Sequence, residues 1–503
     1  MPLPPFFFHR VYRIHPGIGV ARIGNSSKED GTEGYFIGPE VPDIAFVPPG
    51  GKYRDDDKNI KRQGARFRIY EYTYVRVRPP LLLEPHPTPG SFVREITSDD
   101  AEIEWHVHLA NLKSKDGNGH PVANDPGEKT IGGLNKSLNV VGSVLGANVQ
   151  LGTLKTDDKG RLIVLGGFGR SASPLNLPIT GLFNEGWYDD VSDGSVRATI
   201  TIRGSGAKPA VEPAWVIVGV SRFAEPISAI VTMYDLAYDV ATKLPPPNAL
   251  VPPATVSFTR DIYPVLLRPV MMQWVHAQAR AGHSGAAGAN FMNPTVFDLL
   301  KNNDPDPASP ASIARNKVFG NLKPNPGADM PLLAMLQVTG TQFDHFKKWA
   351  AGNFLADWGA GPPLPPPPVK PFDQLTPLEQ THALDTTGLW TAVGGPFFPG
   401  IEAGTMMTQP STYEQPFRIR SSLPPGSLTQ TLSVPWQSDY HACGDSWWPS
   451  GRPDEVTEDG TSFYDWIPST MSTEQLVTDW WKLGFLFKKA PDAEIYVERE
   501  RLV

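Results

Sequence analysis

The chain has 503 residues, 45 Lys+Arg against 53 Asp+Glu for a formal net charge of -8, and one cysteine. Its length predicts two or three domains, and its acidic balance excludes the broad basic field that nucleic acid requires. No uninterrupted apolar stretch nears the roughly 18 residues of a membrane span, and a single cysteine rules out an intramolecular disulfide and a multi-cysteine zinc site.

At the N-terminus, MPLPPFFFHRVYRIHPG carries an apolar patch. Pro4 and Pro5 precede it and no small-residue cleavage site follows, so it fits a signal peptide poorly. The expected location is cytoplasmic, or outside the cell by a route without a recognisable signal peptide. Residues 65–70 (ARFRIY), 103–109 (IEWHVHL) and 196–202 (VRATITI) alternate as strands, and 215–220 is continuously apolar. Turn signals at 116–119 (DGNG) and 192–194 (SDG) separate such runs. Residues 1–250 are thus expected to form a β-rich N-terminal domain. His106 and His108, two apart on a predicted strand, share a face and could chelate a metal, but no third ligand is locally placed, and a plain strand surface is the simpler reading.

The texture changes at the prolines 245–247 and 252–253. From there the expectation is a mixed, more helical C-terminal domain over 255–503, giving an α+β fold. Residues 259–282 suit a helix interrupted at Pro264, and 342–349 a helix ending at Gly352. The Pro-rich segment 359–371 reads as an extended strap or spacer. Thr376 with Glu379, and Ser472 with Gln475, are capping boxes that open two more helices, the first with Pro377 at its first position.

The densest reactive cluster is 436–449 (WQSDYHACGDSWWP). Its glycine and proline argue against a regular helix and predict a loop. Cys443 on its own reads as a small buried hydrophobe. A Cys443/His441 nucleophile is the reactive alternative, but no cysteine-protease signature accompanies it.

Long blocks across nearly the whole chain resemble the LodA-type family of quinoprotein amino-acid oxidases. They are 15–26 (HPGIGVARIGNS), 35–40 (YFIGPE), 60–68 (IKRQGARFR), 165–169 (LGGFG), 184–190 (NEGWYDD), 213–216 (PAWV), 258–264 (FTRDIYP), 394–402 (GGPFFPGIE), the Asp439-x-x-x-Cys443 block and 480–485 (WWKLGF). The resemblance implies a protein-derived cofactor, cysteine tryptophylquinone, with a thioether between Cys443 and Trp480 and the indole oxygenated to an ortho-quinone. Independently, Leu476, Trp480 and Leu483 fall on one helix face; Trp481 is the fallback. The resemblance also implies oxidative deamination of an amino-acid amine by O2 through a Schiff base, with ammonia and hydrogen peroxide released and Asp439 as base, for which shielding from water is useful. It further implies a flavin-dependent maturation enzyme as partner and a homo-oligomer. Tyr440, His441, Glu402, Phe397 and Phe398 are weaker pocket candidates. Where some relatives carry a second cysteine, this chain has Trp390, Thr391, Ala392 and Val393. Two alternatives stay open: the same cofactor acting on a peptide or biosynthetic-intermediate amine, and a non-catalytic β-rich binding protein on the same scaffold.

Overall fold

The computed structural model describes residues 6–42, 46–77, 92–324, 336–364, 369–394, 401–442, 450–491 and 493–502. Thirteen strands fall in the N-terminal part: β1 (Phe6–His15), β2 (Ile18–Arg22), β3 (Tyr35–Ile37), β4 (Arg62–Val77), β5 (Phe92–Ile96), β6 (Ala101–Ala110), β7 (Lys129–Gly132), β8 (Ser137–Val144), β9 (Ala147–Thr156), β10 (Leu162–Gly166), β11 (Ser192–Ile202), β12 (Val211–Glu212) and β13 (Ala214–Gly219). They join one sheet whose main path runs β7-β6-β11-β13-β2-β4-β10-β9-β8, with β1, β3 and β5 paired to β4. The more helical part follows, so the α+β expectation holds.

The alternation in β6 has a direct cause. Trp105, Val107 and Leu109 are fully buried on one face, while the other face carries His106 and His108. These histidines do not converge on a common ligand: His106 bonds Thr130 and Thr199, and His108 bonds Asp125. Strand β13 is buried along its whole length because both of its faces are covered. Val216 and Val218 enter the main core, while Trp215 and Ile217 pack with residues of a helix, α1 (Met233–Ala241).

Two sequence expectations are corrected here. Residues 192–194 form no turn but open β11, with Asp193 opposite Ala110 and Gly194 opposite Leu109. A Cβ on Gly194 would lie 1.7 Å from the His108 carbonyl oxygen, so glycine serves close strand approach. The helix expected over 259–282 does change at Pro264, where a π-helical turn over Phe258–Ile262 gives way to an α-helix at Tyr263, but it also breaks after Met271. Pro264 sits in the first turn of α2 (Tyr263–Met271), where its missing N–H costs nothing, and a 3-10 turn over Met272–Trp274 leads to α3 (Ala277–His283).

The helices α4 (Pro294–Leu300), α5 (Pro310–Phe319) and α6 (Gly340–Ala350) complete a second apolar core with α2, centred on Phe258, Phe297, Phe346 and Trp349. Helix α6 ends as expected near Gly352, at φ +76. The described part of the Pro-rich segment is a strap, tied down where Tyr263 donates to the Pro363 carbonyl; residues 365–368 lie outside the described residues. Helix α7 (Pro377–Trp390) has the predicted capping box and covers the outer face of β4, where Leu384 packs with Tyr70, Tyr72 and Tyr74. Among the described residues no helix is long and apolar enough to cross a membrane.

The inner face of the sheet is closed by residues from the far end of the chain. Trp436, Tyr440, Trp466, Leu476, Trp480, Leu483, Phe485 and Phe487 share one core with Ile14, Phe67, Trp105 and Val218. This closure places the candidate site.

Candidate active site

The expected loop at 436–449 begins instead as a helix, α8 (Trp436–Ala442). Gly444 and Pro449 lie outside the described residues, and the first amide of the helix is capped from a distance: Trp436 N donates to Asp189 Oδ2 at 3.0 Å. Helix α9 (Thr473–Asp479) opens with the predicted Ser472/Gln475 capping box but stops one residue before Trp480, which starts a 3-10 turn. The intended face survives this change, because Leu476, Trp480 and Leu483 are all buried. Trp481 is half-buried and donates to the Thr478 carbonyl in its own turn.

Trp480, 3% exposed, meets the Trp436 ring edge to face, with centroids 5.3 Å apart and planes at 79°. On another side it touches Gly169. A Cβ on Gly169 would lie 2.1 Å from Trp480 Cζ2, and φ there is +72, so both contact and conformation require glycine.

Helix α8 directs Asp439 and Tyr440 inward, each 2% exposed, and leaves His441 exposed. Tyr440 packs edge to face on Trp436 and donates to the Ser221 carbonyl at 3.3 Å; burial pushes its hydroxyl well above the usual range. Glu402 is buried but committed to structure, accepting from Arg22 Nη1 at 3.0 Å and from Val393 N at 3.1 Å. Cys443, Phe397 and Phe398 lie outside the described residues.

Sequence reasoning missed the polar floor of this site. Lys113, fully buried, donates to Asp189 Oδ2 at 2.6 Å and to the Ser433 carbonyl at 2.8 Å. Burial pushes its pKa down, while Asp189, Asp190 and Asp439 pull it up. Lys113 thus lies within electrostatic reach of all three acids. Asp190 Oδ2 accepts from Phe168 N at 2.7 Å and Arg170 N at 3.0 Å, whereas its Oδ1 has no partner among the described residues. Two further buried groups in α8, Trp436 Nε1 and Gln437 Nε2, also have no acceptor there. The signal in the sequence was the paired acid at the end of 184–190, visible as a pattern but without an assigned role.

Burial raises the Asp190 carboxyl from 3.8 to about 7, helped by Asp189 and opposed by the two turn amides. The folded chain therefore keeps a proton that the unfolded chain releases above about pH 4. The associated stability is present in full below that pH and is lost as pH rises through about 7. Asp190→Asn removes the titration, so the fall in Tm between about pH 5 and about pH 8 should be smaller in the variant. An unchanged pH dependence would contradict the raised carboxyl.

Comparison with known proteins bears on these residues. Residues 15–123 and 114–218 match the family model described as L-lysine epsilon oxidase N-terminal, and 320–466 match the L-lysine epsilon oxidase C-terminal domain. The curated L-lysine 6-oxidase of Marinomonas mediterranea is 26% identical over 558 residues, spanning 86% of this chain and 70% of its own. A solved structure of the Schiff base intermediate of the L-Lys epsilon-oxidase from the same organism, with L-Lys, has a TM-score of 0.72 at 19% identity and covers 98% of this chain and 95% of that one. A second structure of the epsilon-lysine oxidase gives 0.71 at 20% identity, with the same coverage.

Proposed function

Because the chain belongs to the L-lysine epsilon oxidase family, we propose that it oxidatively deaminates a primary amine of an amino acid with O2. The balanced reaction consumes the amine, O2 and water and yields a carbonyl product, ammonia and hydrogen peroxide. The observation that carries this reading is the enclosure of Trp480 between Trp436 and the Cβ-free backbone of Gly169, with the buried Asp439 carboxylate on the helix that Trp436 heads.

The residues present fit a tryptophan-derived quinone on Trp480, linked to Cys443. Trp480 is buried and closely packed, and the neighbouring helix carries two buried donors with no acceptor among the described residues, Trp436 Nε1 and Gln437 Nε2. Such a cofactor supplies an electrophilic carbonyl that takes two electrons from the amine carbon and passes them to oxygen. The chain's own residues do the rest. Asp439 accepts the proton from the carbon that bears nitrogen, as general base. The burial of Asp439, 2% exposed, keeps water from its carboxylate, which strengthens its interactions.

Conversion of the tryptophan calls for a separate flavin-dependent maturation enzyme. Peptide mass spectrometry of protein from the native host, or co-expressed with that enzyme, should give a cross-linked, oxygenated Cys443–Trp480 peptide. Separate unmodified peptides from active protein would end the proposal. A panel of amino acids and other primary amines, read by peroxide release, then identifies the substrate and distinguishes α-amine from side-chain amine.

A further inference from the structure

We propose that Asp190 is a positioning residue for Trp480: its carboxylate closes the turn 167–170 and thereby fixes the backbone of Gly169 against the indole. This inference rests on the reading of Trp480 as the cofactor tryptophan.

Three observations carry it. First, one oxygen of Asp190 gathers the amides of both Phe168 and Arg170, the neighbours of Gly169 on either side. The residue that touches the indole is thus held at both flanks by one side chain. Second, the turn is built for close approach throughout. A Cβ on Gly167 would lie 2.5 Å from Asp190 Oδ2, and one on Gly169 would lie 2.1 Å from Trp480 Cζ2. The turn is also held from outside, where the Arg62 guanidinium lies 4.6 Å from the centroid of the Phe168 ring. Third, the tie is long-range in the sheet. The turn leaves β10 and Asp190 leads into β11, and β13, β2 and β4 lie between those strands. Losing the carboxylate frees the turn from this anchor, while the sheet keeps its own ladders.

Burial and the adjacent Asp189 favour the neutral acid at this position, which makes asparagine a close mimic: its carbonyl oxygen accepts the same two amides. Alanine removes the acceptor and leaves two buried donors unpaired.

The test uses the full chain co-expressed with its maturation enzyme, as wild type, Asp190→Ala, Asp190→Asn and Gly169→Ala. The readout is the fraction of folded, soluble protein that carries the Cys443–Trp480 cross-link. Asp190→Ala and Gly169→Ala should lower this fraction on the order of ten-fold, because a misplaced reacting group is penalised steeply; Asp190→Asn should retain it. A purely stabilising role would lower Tm in Asp190→Ala while the folded molecules cross-link as in wild type, and that outcome overturns the proposal. Equal losses in the alanine and asparagine variants would overturn it as well. Absence of the cross-link in wild type would refute the cofactor reading instead. The positioning claim is then decided by hydrogen exchange in peptides covering 166–170 and 480–483, which must quicken in Asp190→Ala and not in Asp190→Asn.

Discussion

Trp480→Phe is expected to abolish amine oxidation completely and to leave no cross-linked peptide, whereas Trp481→Phe should still yield that peptide. Phenylalanine keeps an aromatic ring in the core but lacks the indole that must be oxygenated, so no partial activity remains. The fold should survive. Trp480 is one of many residues in its core, and losing the outer part of its ring together with the edge-to-face contact to Trp436 should cost about 1–3 kcal/mol. Trp481 is half-buried, and its indole bond is satisfied within its own turn. The comparison is read by peptide mass, peroxide release and Tm on the same preparations. Substantial peroxide release from Trp480→Phe would remove this residue from the chemistry.

The second large effect belongs to Asp439. Asp439→Asn keeps the shape of the side chain but removes its basicity, and the expected loss in kcat is about 10²–10⁴-fold. Proton abstraction stabilises the transition state rather than the bound substrate, so kcat and kcat/KM should fall together. With substrate deuterated at the carbon bearing nitrogen, the isotope effect on kcat should rise in the variant as proton transfer becomes rate-limiting. A variant within about three-fold of wild type would assign the base elsewhere.

Local chemistry was legible where the cause is local. The capping boxes at Thr376 and Ser472 both formed, because each is closed by residues three positions apart. Alternation in β6 and β11 was readable because one face meets the core. The burial of Trp480 followed from its spacing to Leu476 and Leu483, even though the helix itself ends earlier. What the sequence hid was set at long range. The amide that starts α8 is capped by Asp189, 247 positions away, and Lys113 finds Asp189 at a separation of 76. No window of neighbouring residues contains either relation, so nothing offset the glycine and proline that made 436–449 read as a loop, and Lys113 received no role. Ser192–Gly194 misled for the opposite reason: turn-forming residues were recruited for strand contact and for Asp193 to receive Thr429.

The closure of the sheet by the last segments of the chain sets a timetable for synthesis. A ribosome delivers the strands up to Gly219 long before it delivers Trp436 and Trp480, which cover their inner face. At about 5–20 residues per second, that interval lasts on the order of tens of seconds. During it, the apolar surface around Phe67, Trp105 and Val218 has no final partner, and a nascent chain in this condition is a client for chaperones. On the proposed function, a modifying enzyme can act on a correctly placed Trp480 only after these late segments have been delivered. Truncation ahead of Trp436 would therefore leave an aggregation-prone chain, not merely an unmodified one.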